Sequence, residues 1–222
     1  KLFITLCLFA LMVAPVVHAA ETAHHELDEQ EWSFNGPFGT FDRGALQRGF
    51  QVYSQVCSAC HGLKHLSYRN LSALGYTEDE IKAIASQYST TDGPDDEGEM
   101  FERPMKPSDK FKNPYANDNQ ARYANNGALP PDLSLITKAR AGGADYVYGI
   151  LTGYEEPPEG VVLGGSQHWN IVMPGNKIAM AAPLSDDIVG YEDGSPTTKD
   201  QYARDISTFL TWAAEPEREE RK

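Results

Sequence analysis

The stretch Asp42-Arg43-Gly44-Ala45-Leu46-Gln47-Arg48-Gly49-Phe50-Gln51-Val52-Tyr53-Ser54-Gln55-Val56-Cys57-Ser58-Ala59-Cys60-His61 decides the fold. Asp42 suits the cap of a helix from about Arg43 to Val56, because its short carboxylate accepts from the unpaired amides of a first turn. Leu46, Phe50 and Tyr53 fall on one face of that helix, and Phe41 with Leu46 takes the two hydrophobic-staple positions around the cap. Its end runs straight into Cys57-Ser58-Ala59-Cys60-His61, the C-x-x-C-H spacing of haem attachment. Two thiols three positions apart at a helix end can reach the two vinyl groups of one porphyrin, and the next imidazole then faces the iron.

The blander uses of two such cysteines fit less well. A structural zinc wants four Cys or His ligands, and outside the N-terminal leader the chain offers no second cysteine pair. A thioredoxin-like dithiol belongs in a βαβ setting that the pattern does not offer. Cys7, the third cysteine, lies in that leader: an apolar run from Leu2 to Val17, then Val17-His18-Ala19, which reads as a secretory signal over residues 1–19. The run is short of the roughly 20 residues that span a bilayer.

The whole chain carries a formal charge of −13, and removing the leader takes away only Lys1. Such acidity argues against nucleic acid and anionic lipid as partners and favours a basic one. The acidic loops Asp92, Asp95, Asp96, Glu97, Glu99 and Glu155, Glu156, Glu159 are candidates for steering that partner.

A second long helix is expected near the other end, where Tyr202, Ile206, Phe209 and Leu210 repeat at helical spacing before Pro216 and Thr197 with Asp200 resembles a capping box. Gly44 and Gly49 in the first helix would let it approach closely. Between the two helices the chain is rich in Gly, Pro and Asn, with almost no period-two alternation, so little sheet is expected. Shorter helices are read at Thr77 to Tyr88, Leu133 to Ala139 and Tyr146 to Thr152. Thr91 to Glu99 reads as a loop, and Phe101 to Asn126 as an extended connection.

A sixth iron ligand separates an electron carrier from a haem enzyme such as a peroxidase, since a His/Met pair fills the iron and raises its potential. His65 is close in sequence to His61, which makes the opposite haem face hard to reach, and His168, Met100, Met105, Met173 and Met180 are the other candidates. Met180 leads modestly, because Ile178-Ala179-Met180-Ala181-Ala182-Pro183 is an apolar stretch that would shield a thioether from water.

Four further blocks carry a family resemblance. Ala124-Asn125-Asn126-Gly127-Ala128-Leu129-Pro130-Pro131-Asp132-Leu133-Ser134, Asp145-Tyr146-Val147 with Leu151-Thr152-Gly153-Tyr154, Pro174-Gly175-Asn176-Lys177-Ile178-Ala179-Met180, and Thr208-Phe209-Leu210 with Trp212-Ala213-Ala214-Glu215-Pro216 resemble cytochrome c1. That family is the c-type haem subunit of ubiquinol:cytochrome c oxidoreductase, respiratory complex III. The likeness runs from about Trp32 to Pro216.

It implies one covalent haem c on Cys57 and Cys60, with His61 and Met180 on the iron. It also implies that Asn125, Pro131 and Tyr146 line the pocket and that Arg140 lies near a haem propionate, where a guanidinium pairs well with a carboxylate. The implied fold is mostly α: a cytochrome c-type domain over residues 20–216, with crossed first and last helices and a long irregular middle. The implied partners are cytochrome b, the Rieske iron–sulfur subunit and a c-type cytochrome acceptor. Residues 217–222 read as a charged tail preceding a C-terminal membrane anchor, which would hold the domain at the periplasmic face of a bacterial inner membrane. A cytochrome domain of another dehydrogenase or oxidase would share the haem motif and differ in its partner surface.

Overall fold

The computed structural model describes residues 27–221, so the leader read at residues 1–19 lies outside them. Among these residues the α-helices are α1 (Arg43–Gln55), α2 (Glu78–Ser86), α3 (Asp118–Ala124), α4 (Ile136–Ala139), α5 (Gly143–Thr152) and α6 (Lys199–Ala213). One 3-10 turn spans Cys57–Ala59 and a 3-10 helix spans Tyr68–Leu74. Sheet is confined to two antiparallel pairs, β1 (Ser89–Asp92) with β2 (Phe101–Pro104) and β3 (His168–Trp169) with β4 (Lys177–Ile178). The mostly helical architecture with little sheet is as the sequence led one to expect.

α1 starts where its cap says it should, with the Asp42 carboxylate accepting from the Ala45 amide at 2.8 Å. It packs across α6, and α5 lies along α6 with α4 touching both. The crossing point is Gly49, where a Cβ would sit 2.2 Å from the Asp205 carbonyl oxygen and 2.6 Å from Phe209 Cβ. Only a residue without a side chain allows that approach. Gly44 plays no such part: a Cβ there would meet Arg48 and Asp42 on or beside its own helix, and nothing of α6.

Next to Gly49, the Phe209 ring lies 5.8 Å from Phe50 and 5.9 Å from Tyr53, both on the predicted apolar face of α1. Leu63, Tyr68, Phe111, Tyr202, Ile206 and Leu210 complete one continuous core around this contact. Each such large side chain contributes about 1.5–3 kcal/mol on burial, so this cluster dominates the stability of the domain. A smaller cluster of Ile150, Val172 and Ile178 forms beside it, and Met180 packs against both.

Several boundaries differ from the sequence reading. The cap of α6 is Thr198, whose hydroxyl accepts from the Gln201 amide at 3.2 Å. Thr197 instead bonds Asp187, and Asp200 bonds Tyr148 and Arg204. Neighbouring threonines offer the same hydroxyl chemistry, and tertiary partners decide which one caps. α5 begins at Gly143, three residues before the expected start, because Gly142 and Gly143 take positive φ (+85° and +53°) and turn the chain into the helix. α4 is about one turn shorter than the span read from Leu133, because Leu133 and Ser134 instead bond across to Gly62 and His65. The acidic loop is the tip of the β1–β2 hairpin, and α3 occupies part of what read as an extended connection.

Candidate haem site

The end of α1 tightens into the 3-10 turn Cys57–Ala59, and the amides of Cys60 (3.1 Å) and His61 (2.9 Å) both donate to the Cys57 carbonyl. The motif therefore wraps around one oxygen, which gathers two thiols and an imidazole within one turn. Both cysteines are free and half-buried. Burial, and then the nearby Cys60, push the Cys57 thiol up to about 12. A thiol held protonated at neutral pH is a poor redox dithiol or metal thiolate, and a thioether, which carries no charge, suits the same surroundings. No cluster of three or more His, Cys, Asp or Glu suited to a metal ion occurs among the described residues.

His61 is fixed by its neighbours. Its Nδ1 lies 2.8 Å from the Pro131 carbonyl oxygen, an acceptor only, so Nδ1 carries the proton and Nε2 keeps the free lone pair that an iron ligand needs. Burial lowers the pKa of the ring, while the Pro131 bond and the Asp132 charge push the other way. Behind the ring, the Tyr53 hydroxyl donates to the His61 carbonyl at 3.0 Å. Burial lifts the Tyr53 pKa far above its ordinary value, so that hydroxyl remains a donor at any physiological pH.

The other half of the candidate site is the segment leading to Met180. β3 and β4 bracket a tight loop with Gly175 and Asn176 at positive φ. Fully buried Asn170 organises it: its Nδ2 donates to the Ile150 carbonyl at 2.8 Å, and its Oδ1 accepts from the amides of Val172 and Met173, each at 3.1 Å. Past β4, the Tyr154 hydroxyl donates to the Met180 carbonyl at 3.0 Å. The methionine segment is thus tied to α5 through Ile150 at one end of the loop and, at the other, to Tyr154 just past the end of α5.

The remaining predicted residues are distributed around this frame. Tyr146, on α5, packs in the same small cluster as Met180 and Met173, with its hydroxyl 3.9 Å from the Met173 sulfur. Asn125 ends α3, and its Nδ2 donates to Tyr115 Oη (3.0 Å) and the Ala121 carbonyl (2.7 Å), so it shapes the turn into the Pro130-Pro131 segment. Arg140 is exposed and bonds only the Ala139 carbonyl, with no carboxylate partner among the described residues. Met173, the rival of Met180, is engaged through its backbone with Asn170 and Asn176.

Two positioning residues were not picked out from the sequence. Asn170 was passed over, although a lone amide between Trp169 and the apolar pair Ile171-Val172 is a sign of a buried polar hub. Asp132 stands in the family-like block from Ala124 to Ser134 with no role of its own read from the sequence. Removal of the Asn170 side chain is expected to leave the Val172 and Met173 amides unpaired in a buried place. Asn170→Ala should lose about 2–4 kcal/mol of stability in chemical denaturation and weaken any absorption band that reports sulfur on iron.

Comparison with known proteins agrees with this frame. The Cytochrome C1 family model matches residues 32–222. Over 214 residues the chain is 50% identical to "Cytochrome c1 1, heme protein, mitochondrial" of Arabidopsis thaliana, covering 96% of this chain and 70% of that protein. "Cytochrome c1" of Rhodospirillum rubrum is 49% identical over 212 residues, covering 88% of this chain and 78% of its own length. The "Cytochrome b-c1 complex catalytic subunit, mitochondrial" of Candida albicans is 50% identical over 212 residues, covering 95% and 73%. With its free C-x-x-C-H turn, its oriented histidine and a family match across nearly the whole described domain, this chain belongs to the cytochrome c1 family.

Proposed function

We propose that the chain relays single electrons as the cytochrome c1 subunit of a ubiquinol:cytochrome c reductase complex, with Cys57 and Cys60 holding one haem c by thioethers and His61 and Met180 ligating its iron. The cytochrome c1 family carries a covalent c-type haem and works in electron transfer, and its members include a subunit of the cytochrome b-c1 complex. The observation that carries the assignment of residues is His61, whose Nδ1 is held by Pro131 so that Nε2 is left for a metal. The haem supplies the one-electron couple when bound, and the protein supplies ligands, burial and charge pairing. His61 presents a ring of fixed tautomer. Met180, half-buried where two apolar clusters meet, offers a thioether. The exposed Arg140 guanidinium, free of any protein carboxylate among the described residues, suits a propionate. By the same reading Asn125, Pro131 and Tyr146 would line the haem.

By this reading the subunit is not an enzyme by itself. It takes electrons from the Rieske iron–sulfur protein, sits with cytochrome b, and passes electrons to a c-type cytochrome at the periplasmic face of a bacterial inner membrane. Among the described residues no helix is long and apolar enough to cross a membrane.

Acid–acetone extraction tests the covalent assignment. Colour should stay with the polypeptide in the parent protein and leave it in the Cys57→Ser, Cys60→Ser double variant; colour extracted from the parent would overturn the thioethers. Delivery to a basic acceptor should depend on salt, because a cluster of one sign acts over about 10 Å at 0.1 M ionic strength. Within the hairpin tip Asp92 pairs with Arg103, and Asp95 accepts from the Glu97 and Glu99 amides. The exposed carboxylates of Asp96, Glu97 and Glu99 enter no ion pair among the described residues and are the ones available for steering. Neutralising those three should flatten the salt dependence of the stopped-flow rate and leave the visible spectrum unchanged.

A further inference from the structure

The segments 61–65 and 131–134 lie side by side through four hydrogen bonds. The His61 Nδ1 bonds the Pro131 carbonyl, the Leu133 amide donates to the Gly62 carbonyl at 2.9 Å, the Lys64 amide donates to Asp132 Oδ2 at 2.9 Å, and the His65 amide donates to Ser134 Oγ at 3.1 Å. Asp132 is the only side chain in this set that also ties its own strand, since its Oδ1 accepts from the Ser134 amide at 3.0 Å. Both carboxylate oxygens are therefore used, one on each segment. The carboxylate enters no ion pair among the described residues, and its charge acts on the His61 ring. Gly62 leaves the room it needs: a Cβ there would lie 3.1 Å from Asp132 Oδ2 and 2.4 Å from Asn113 Oδ1.

We infer that Asp132 is a positioning residue for the electron-transfer site, holding the Pro131 carbonyl on His61 Nδ1 and placing one negative charge beside the axial ring. This rests on the reading of His61 as the axial ligand. A firmly held acceptor at Nδ1 increases the electron donation of the ring, and a nearby negative charge favours the more positive ferric state. Both effects act in one direction. Removal of Asp132 therefore makes reduction easier and loosens the ring proton. The β-carboxylate would do this through backbone bonds to Lys64 and Ser134 and through its charge, which distinguishes it from the ligands themselves. Short backbone pairing by Leu133 cannot replace it, because that bond constrains the strand spacing and leaves the Pro131 carbonyl free to rotate about the flanking bonds.

The test uses the haem-loaded protein and three variants, Asp132→Asn, Asp132→Ala and Ser134→Ala. Two readouts are taken: the redox equilibrium by spectroelectrochemistry, and the solvent exchange of the His61 Nδ1 proton, which the ferric iron shifts out of the protein envelope in a proton NMR spectrum. Asp132→Asn removes the charge and keeps one of the two acceptor oxygens, so it also gives up one of the bonds from the Lys64 and Ser134 amides; it should raise the ferrous-to-ferric ratio at fixed ambient potential by about threefold. Asp132→Ala should add faster exchange of the ring proton to that shift. Ser134→Ala, which removes one strand bond and keeps the carboxylate, should lower stability and leave both readouts near the parent. If Asp132→Ala only lowers the melting temperature and both readouts match the parent, the residue is structural and the inference fails. Should Asp132→Ala not fold, Asp132→Asn decides alone through the ratio. Absence of any shifted imidazole proton in the parent protein would instead overturn the ligation of His61, and with it the proposal.

Discussion

Replacing Met180 with Leu is expected to lower the reduction potential by a few tenths of a volt, within the span of about 0.8 V that axial ligands command. A thioether is a soft ligand that favours ferrous iron, and on the proposed ligation leucine offers nothing in its place. Met173 is the nearest alternative in sequence, but its amide is bound to Asn170 Oδ1 and its carbonyl accepts from Asn176, which holds it in the β3–β4 loop. The variant should therefore also bind carbon monoxide rapidly and lose the far-red sulfur-to-iron band. Met173→Leu should keep that band and lose only packing, including its contact with the Tyr146 hydroxyl. Spectra and potentials of the two variants, measured side by side, check the assignment; the opposite pattern would move the ligand to Met173.

Removing the Arg48 guanidinium should cost about 3–5 kcal/mol of folding stability, the range for stripping one partner from a buried ion pair. Asp205 is almost completely buried, and Arg48 grips it through two bonds, Nε to Oδ2 at 2.9 Å and Nη2 to Oδ1 at 3.0 Å. Its third arm reaches Asp193 at 2.8 Å. Tyr191 Oη (3.0 Å) and Gln201 Nε2 (3.1 Å) also donate to Asp205 and would remain, but neither brings a positive charge. Arg48→Met keeps the length of the stem and should show the loss in denaturant melts of the haem-loaded protein. Arg48→Met with Asp205→Leu should recover much of it, because a well-packed apolar pair avoids burying a lone carboxylate. The Asp193 carboxyl is held below its ordinary pKa by the Ser195 amide and then by Arg48, so its contribution is present above the usual carboxylate range and is lost as pH falls through the depressed value. The acid limb of the stability curve should accordingly shrink in Arg48→Met.

These two predictions concern different parts of one arrangement. The Arg48–Asp205 pair sits beside the Gly49 crossing, so it holds α1 at a fixed distance from α6. α1 in turn delivers the Cys57–His61 turn, while α5, lying along α6, carries Ile150, whose carbonyl takes the Asn170 amide of the methionine loop. A shift between α1 and α6 would thus move the histidine half of the candidate site relative to the methionine half. The Arg48 variant is expected to broaden the axial-ligand spectrum as well as lower stability.

Much of this was present in local sequence pattern. Asp42, the Leu46-Phe50-Tyr53 stripe and the C-x-x-C-H spacing each act over a few residues, where helix geometry alone relates the side chains. The same holds for the Tyr202-Ile206-Phe209-Leu210 repeat, and both helices are found where that pattern put them. Gly49 could be named as a close-approach site, but Gly44 carried the same signal. Which glycine met the partner helix depended on how α1 and α6 rotate against each other. Thr197 and Thr198 pose the same question at the start of α6.

The amino-acid sequence by itself determined the attachment motif, the two long helices, the acidic charge and, through ordered blocks of family likeness, the kind of haem protein this is. Tertiary structure alone decided that the Pro131 carbonyl meets His61, that Asp132 joins segments about 70 positions apart, and that Asn170 ties the Met180 loop to α5. The physical reason is the reach of each interaction. A cap, a stripe or a motif is set by bonds along one short segment, whereas a carboxylate or amide that accepts from a distant backbone has no local partner to reveal it until the core has closed.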